Sequence, residues 1–244
     1  MINKALYQLY KKHWIELKLA VDQLPDELKP THPLLLKIAD EEGYKKAGCR
    51  IMIVGQETND WNGKFGKYGI EQLQDIYADF MAKDTKAKRT LFWRYQKKLM
   101  SVFPRDIDSV IVWNNIYKLG KPGKRGRPNK ETRSIQELHF NIFKEELNIL
   151  KPDIVIFLTG PRYDAAIETY LPGVVISKVR EGTVRQIAYL KHENLPDVAI
   201  RTYHPQYLNR LTSETSVFHG ETPAITLQNI AEKSLWSEPG EKVK

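Results

Sequence analysis

At 244 residues, with 41% hydrophobic and 28% charged side chains, the chain has an ordinary globular composition and the length to bury one sizeable core. Its single cysteine, Cys49, excludes an internal disulfide and any cysteine-built zinc or iron–sulfur site, and no apolar run approaches the ~20 residues needed to cross a bilayer. The net charge of +8 suits a polyanionic partner without naming one.

Met1 to Leu19 carries Lys and Glu throughout, so it does not read as a secretory leader; with the lone cysteine this favours a reducing, cytoplasmic setting. Leu6, Leu9, Tyr10, Trp14, Leu17, Leu19 and Val21 recur at helical spacing and predict a helix over 2–22, which Pro25, Pro30 and Pro33 end. Residues 1–45 read as an N-terminal helical flank of a single domain, 1–244. Arg50 to Val54 is a short apolar run stopping at Gly55, the form of a buried strand. Helices are predicted over 69–83 and 86–102, then a strand from Ser109 to Trp113 ending in Asn114-Asn115.

Lys118, Lys121, Lys124, Arg125, Arg127, Lys130 and Arg133 follow, interleaved with Gly120, Pro122, Gly123, Gly126 and Pro128. That mixture predicts a loop, either a solvated surface segment or one that contacts phosphates. Ser134 with Glu137 three residues on forms a capping-box pattern, predicting a helix to Leu150. The strand Ile154–Leu158 ends at Thr159-Gly160, and a short helix follows over 163–171. A small β excursion occupies 173–190, the last core strand is Val198–Thr202, and a final helix spans 223–236.

Short apolar strands separated by helices predict a parallel sheet covered on both faces, with ligands at the strands' carboxyl ends. Gln56, Glu57 and Asn59, Asn114 and Asn115, Thr159 and His204 all fall at such ends. Amides and a histidine supply fixed donors and acceptors for a planar heterocycle, and Glu57 can orient or deprotonate a water. Serine-hydrolase, phosphate-loop, metallohydrolase and dinucleotide-binding readings lack their minimum motifs. Each residue also has a plainer role: His204 a hydrogen-bonded strand-end histidine, Asn115 a turn cap, Glu57 a surface ion-pair partner, Phe65 and Trp61 loop anchors.

Three ordered stretches carry a family resemblance. Val54-Gly55-Gln56-Glu57-Thr58-Asn59 resembles a Gly-Gln-Asp-Pro-Tyr motif, with Glu57 at the acid position. Asn115-Ile116-Tyr117-Lys118 and the loop after it resemble Asn-Val-Val-Lys-Cys-Arg-Pro-Pro. Tyr203-His204-Pro205-Gln206-Tyr207-Leu208-Asn209-Arg210 resembles His-Pro-Ser-Tyr-Leu-Leu-Arg. Together they resemble the uracil-DNA glycosylase superfamily, nearest in pattern to its iron–sulfur branch. Leu119 after Lys118 and the isolation of Cys49 place the chain outside that branch proper.

The resemblance implies a three-layer α/β/α sandwich around a central, mainly four-stranded parallel sheet. It also implies hydrolysis of the N-glycosidic bond of uracil or a related damaged base flipped out of DNA, by a monomer needing no cofactor and no membrane. Position by position, Glu57 orients the water and His204 stabilises charge on the departing base. Gln56 and Asn115 bind the base, and Phe65 is the stacking platform, with Trp61 second. Tyr207 and Leu208 form the wedge, while Lys118, Arg125, Arg127 and Arg210 hold phosphates. Thr58 and Asn59 stand where Pro and a selectivity Tyr would be, and Gln206 replaces a small Ser. Two alternatives stay open: a non-catalytic nucleic-acid- or base-binding module, and a small-molecule nucleoside or base hydrolase.

Overall fold

In the computed structural model, the described residues are 1–83, 86–100, 108–178, 184–185 and 187–208. The first two apolar runs form strands longer than their sequences predict: β1 is Cys49–Asn59 and β2 is Ser109–Lys121. They extend because they pair in parallel from Cys49 against Ser109 to Glu57 against Tyr117, a ladder that continues past Gly55 and Asn115. Ile116, Tyr117 and Leu119 supply the buried side chains that keep β2 in the sheet. Gln56, Glu57, Asn115 and Lys118 therefore stand on strands rather than in loops.

Strand β3, Ile154–Phe157, lies beside β1, and β6, Val198–Thr202, lies beside β3, both parallel. The excursion expected over 173–190 belongs to the same sheet. Strand β4, Val175–Lys178, pairs antiparallel with β5, Ile187–Lys191, which pairs antiparallel with β6. The expected four-stranded sheet thus has six strands, ordered β2-β1-β3-β6-β5-β4. The added hairpin covers the edge that β6 would otherwise present unpaired.

Alternation along the central strands sends side chains to two cores. Met52, Val54, Val155, Phe157 and Ala199 face one; Ile51, Ile53, Ile154, Ile156, Val198 and Ile200 face the other. The first is packed by α1 (Ile2–Asp22), α3 (Ile70–Ala82), α6 (Phe143–Leu150) and α7 (Asp164–Tyr170), with α5 (Lys130–His139) beside them. Phe92 and Tyr95 of α4, Leu91–Met100, meet the second. The short α2, Glu41–Lys46, is capped by the Asp40 carboxylate, which accepts from Gly43 N–H at 2.9 Å.

The first helix of residues 1–45 is built into the core. Leu6, Tyr10, Leu17 and Val21 are wholly buried, and α1 packs across α3, α5 and α6. The Tyr10 hydroxyl donates to Glu146 Oε1 at 2.8 Å and accepts Leu36 N–H at 2.9 Å. Behind α1 the chain runs along β2, with Thr31 N–H bonded to Gly120 O and Leu34 N–H to Lys118 O, each at 3.0 Å.

The Ser134–Glu137 pattern does not start a helix. Asn129, rather than Ser134, caps α5, its side chain accepting Thr132 N–H at 2.7 Å, and the helical run breaks at Phe140–Ile142 before α6. The helix expected over 223–236 lies outside the described residues. Among those described, no helix is long and apolar enough to cross a membrane.

Candidate functional site

The parallel register sets Gly55 of β1 directly beside Asn115 of β2. A Cβ at Gly55 would lie 2.3 Å from Asn115 Oδ1 and 3.4 Å from the Phe92 ring, so this position tolerates only glycine without displacing Asn115. Asn115 is 1% exposed. Its Oδ1 accepts the Trp113 indole N–H at 3.2 Å, and because an indole can only donate, this bond fixes which way the amide faces. The Asn115 Nδ2 is then left buried without a partner. A buried donor in that state costs about 1–3 kcal/mol unless a water or a ligand completes its bonding.

Phe92 connects this strand pair to the last one. Its ring stacks on His204 with centroids 6.0 Å apart and planes 25° from parallel. His204 follows β6 and leads into α8, Pro205–Leu208, against which α4 packs. Its Nδ1 accepts Gln206 N–H at 3.2 Å. Burial pushes its pKa down to about 4, so at neutral pH the ring is uncharged and carries its proton on Nε2, a fixed donor.

Glu57 is half-buried, and burial raises its carboxyl pKa against the opposing pull of Tyr163, Lys121 and Arg127. The Tyr163 hydroxyl donates a hydrogen bond to Glu57 Oε2. Gln56 donates to Thr159 O at 2.7 Å, joining β1 to the end of β3, and the Thr159 hydroxyl is another buried group without a partner. Phe92 thus joins the Gly55–Asn115 pair of β1 and β2 to His204 after β6, while Glu57, further along β1, is held by Tyr163. Among the described residues, no group of His, Cys, Asp or Glu is arranged to hold a metal ion.

Other expected site residues lie elsewhere. Lys118 is 1% exposed and pairs with Glu146 at 2.6 Å, so it faces the core rather than any phosphate. Side chains alternate along a strand, and β2 turns that lysine inward. Arg125 is exposed. Arg127, also exposed, donates to the Tyr117 hydroxyl at 2.7 Å and lies over the Tyr117 and Tyr163 rings. Tyr207 is 45% exposed, its ring 4.4 Å from that of Tyr203. Leu208 ends α8, and Arg210 lies outside the described residues.

Phe65 is not at the site. It stacks on His32 at 5.7 Å and lies tilted against Trp14 at 5.5 Å, within the core that α1 covers. Trp61 instead packs edge-on to Trp113, whose indole holds Asn115. His32 organises the 60–69 loop. Its Nδ1 donates to the carbonyls of Asn62 and Gly63, and Nε2 accepts N–H bonds from Gly66, Lys67 and Tyr68 at 3.0–3.2 Å.

A proton on His32 Nε2 would face three donors, and burial already lowers the pKa. The folded state therefore favours neutral His32. As pH falls below the unfolded value of about 6.5 the unfolded chain binds protons first, so this contribution to stability is lost towards acid. His32→Gln, which does not titrate, should accordingly cost less at about pH 5 than at about pH 7.5 in paired urea titrations. A penalty constant across that range would contradict the assigned tautomer.

Phe92, Trp113 and Tyr163 are not legible in the sequence as site residues. The Gly160-Pro161 turn is the one sequence signal near Tyr163, since Gly160 has φ 75° and Pro161 opens the 3-10 turn ending in that tyrosine. No family model and no curated protein sequence matches the chain.

Proposed function

We propose that this protein is a DNA glycosylase that hydrolyses the N-glycosidic bond of uracil or a related damaged base extruded from DNA. The observation that carries this reading is the Asn115 amide, with Oδ1 held by Trp113 and Nδ2 buried and unpartnered, joined through the Phe92 ring to a neutral His204. Two fixed donors suit a flat ring bearing carbonyl acceptors. In this reading Asn115 and Gln56 bind the base. His204 donates to its carbonyl as negative charge grows on the leaving ring, and Glu57 orients the attacking water. Phe92 takes the stacking role in place of Phe65.

The superfamily's α/β/α architecture is part of the same proposal. Its support is a mostly parallel sheet buried on both faces, with polar groups at the strand ends. Phosphates would meet Lys124, Arg125 and Arg127 of the loop after β2, which is tied to the 60–69 loop by Gly123 N–H to Asp60 at 2.8 Å. Tyr207 and Leu208 would enter the base stack. Every residue the reading uses comes from one chain, and water is the only co-reactant.

The test is incubation with uracil-containing single-stranded oligonucleotide, then alkali, scored for strand breaks. Breaks at uracil are expected. Replacing Lys124 and Arg125 by Gln should reduce the salt dependence of binding by up to about two counterions. No abasic product across uracil, hypoxanthine and oxidised pyrimidines, with binding intact, would favour the non-catalytic binding module. One feature favours that second reading: Thr58, in the altered first motif, is buried and bonded to Thr31 and to Lys118 O, while Asn59 is exposed. Neither supplies an aromatic wall to the site.

A further inference from the structure

The turn after β3 delivers a phenol to the carboxylate of β1. Gly160 takes a left-handed backbone and Pro161 starts the single 3-10 turn that sets Tyr163 against Glu57. The Tyr163 hydroxyl donates to Glu57 Oε2. Its ring is 7% exposed, packs on Tyr117 at 6.0 Å, and has the Arg127 guanidinium 5.6 Å from its centroid. Tyr117 is itself held, since its hydroxyl accepts from Arg127. A phenol clamped on these sides has little freedom to leave, whereas a glutamate side chain on its own samples several rotamers.

We propose that Tyr163 is a positioning residue for Glu57: by engaging Oε2 it turns Oε1 to the reacting water and holds the carboxylate in its ionised, productive rotamer. The proposal rests on the glycosylase reading of Glu57. Among the described residues, the groups acting on Glu57 are Tyr163 after β3, Lys121 at the end of β2 and Arg127 in the basic loop; all three favour the ionised carboxylate, and burial opposes them. Of the three, Tyr163 is the one that hydrogen-bonds to it. Burial and the neighbouring Glu57 push the phenol's own pKa up, so it stays a donor.

The experiment uses the full chain and Tyr163→Phe, which removes one oxygen and keeps the ring. Glu57 is followed by NMR titration of 13C-labelled carboxyl groups, assigned with Glu57→Gln, alongside turnover on uracil oligonucleotide and oligonucleotide affinity. Loss of the donor destabilises the ionised form, so Glu57 should titrate at higher pH and the acid limb of the rate profile should move up with it. Turnover should fall roughly ten- to hundredfold, the scale of one hydrogen bond to a charged group, with affinity held.

Fluorotyrosine at position 163, a stronger acid and better donor, should move the Glu57 titration the opposite way, which covers a Phe variant that folds badly. An unmoved titration in both variants, or a moved titration with unchanged turnover, overturns the proposal. If the wild type releases no base while the titration still moves, the glycosylase reading fails and the hold of Tyr163 on Glu57 stands.

Discussion

Lys118→Met is expected to lower the unfolding free energy by about 3–5 kcal/mol, the usual penalty for leaving one member of a buried ion pair behind. Lys118 and Glu146 are 1% and 0% exposed, with Nζ 2.6 Å from Oε2 and 2.8 Å from Oε1. The Glu146 carboxylate also accepts from Tyr10 at 2.8 Å and from Asn114 Nδ2 at 2.9 Å. Two neutral donors do not offset a missing ammonium in the core. Lys118→Met with Glu146→Met removes both charges and should recover most of the loss, since apolar replacement of a whole buried pair is often neutral or stabilising. Urea denaturation of the two single variants and the double variant measures the cycle. Equal losses in single and double variants would mean that packing, not charge, sets the cost. The same network reaches the site, because Asn114 Oδ1 accepts both the Lys118 ammonium and Asn115 N–H.

On the proposed glycosylase reading, His204→Ala should lower turnover by roughly 10²–10³-fold, the scale measured for removing one donor from a site that stabilises developing negative charge. On the same reading oligonucleotide affinity should change little, because phosphate contacts would carry most of it. The pH dependence follows from burial. His204 has a pKa of about 4, so it remains neutral through the range in which free histidine would protonate. An acid limb in wild-type activity therefore belongs to Glu57, whose carboxyl pKa is raised. His204→Asn, which retains a donor, should restore part of the rate. A limb near pH 6.5 in the wild type that vanished in His204→Ala would contradict a neutral imidazole.

The central strands are readable because a sheet buried on both faces writes itself as unbroken apolar runs such as Ile51-Met52-Ile53-Val54 and Ile154-Val155-Ile156-Phe157. Their ends are not. Gly55 and Asn114-Asn115 look like stops, but strand length is set by the partner, and β1 and β2 extend each other. The same cause misplaces Lys118: among six other basic residues it looks solvated, and only the pleat of β2 shows that it points inward at Glu146. Polar residues after an apolar run are legible, as at Gln56-Glu57, Asn114-Asn115 and His204, and the register sets Gly55 beside Asn115. The aromatic partners are not, since nothing local separates Phe65 from Phe92; α4 packing on α8 decides it. Residues 31–38 likewise give no periodic signal, because an extended segment bonded along β2 has neither helical nor alternating burial.

The bond between Tyr10 and Glu146 spans 136 residues. Chains are made from the N-terminus at roughly 5–20 residues per second, so Tyr10 is made roughly 7–27 seconds before its carboxylate partner exists. Throughout that interval Leu6, Tyr10, Leu17 and Val21, all wholly buried in the finished fold, have no α6 to cover them. Of the described helices, α1 is thus among the last to complete its contacts.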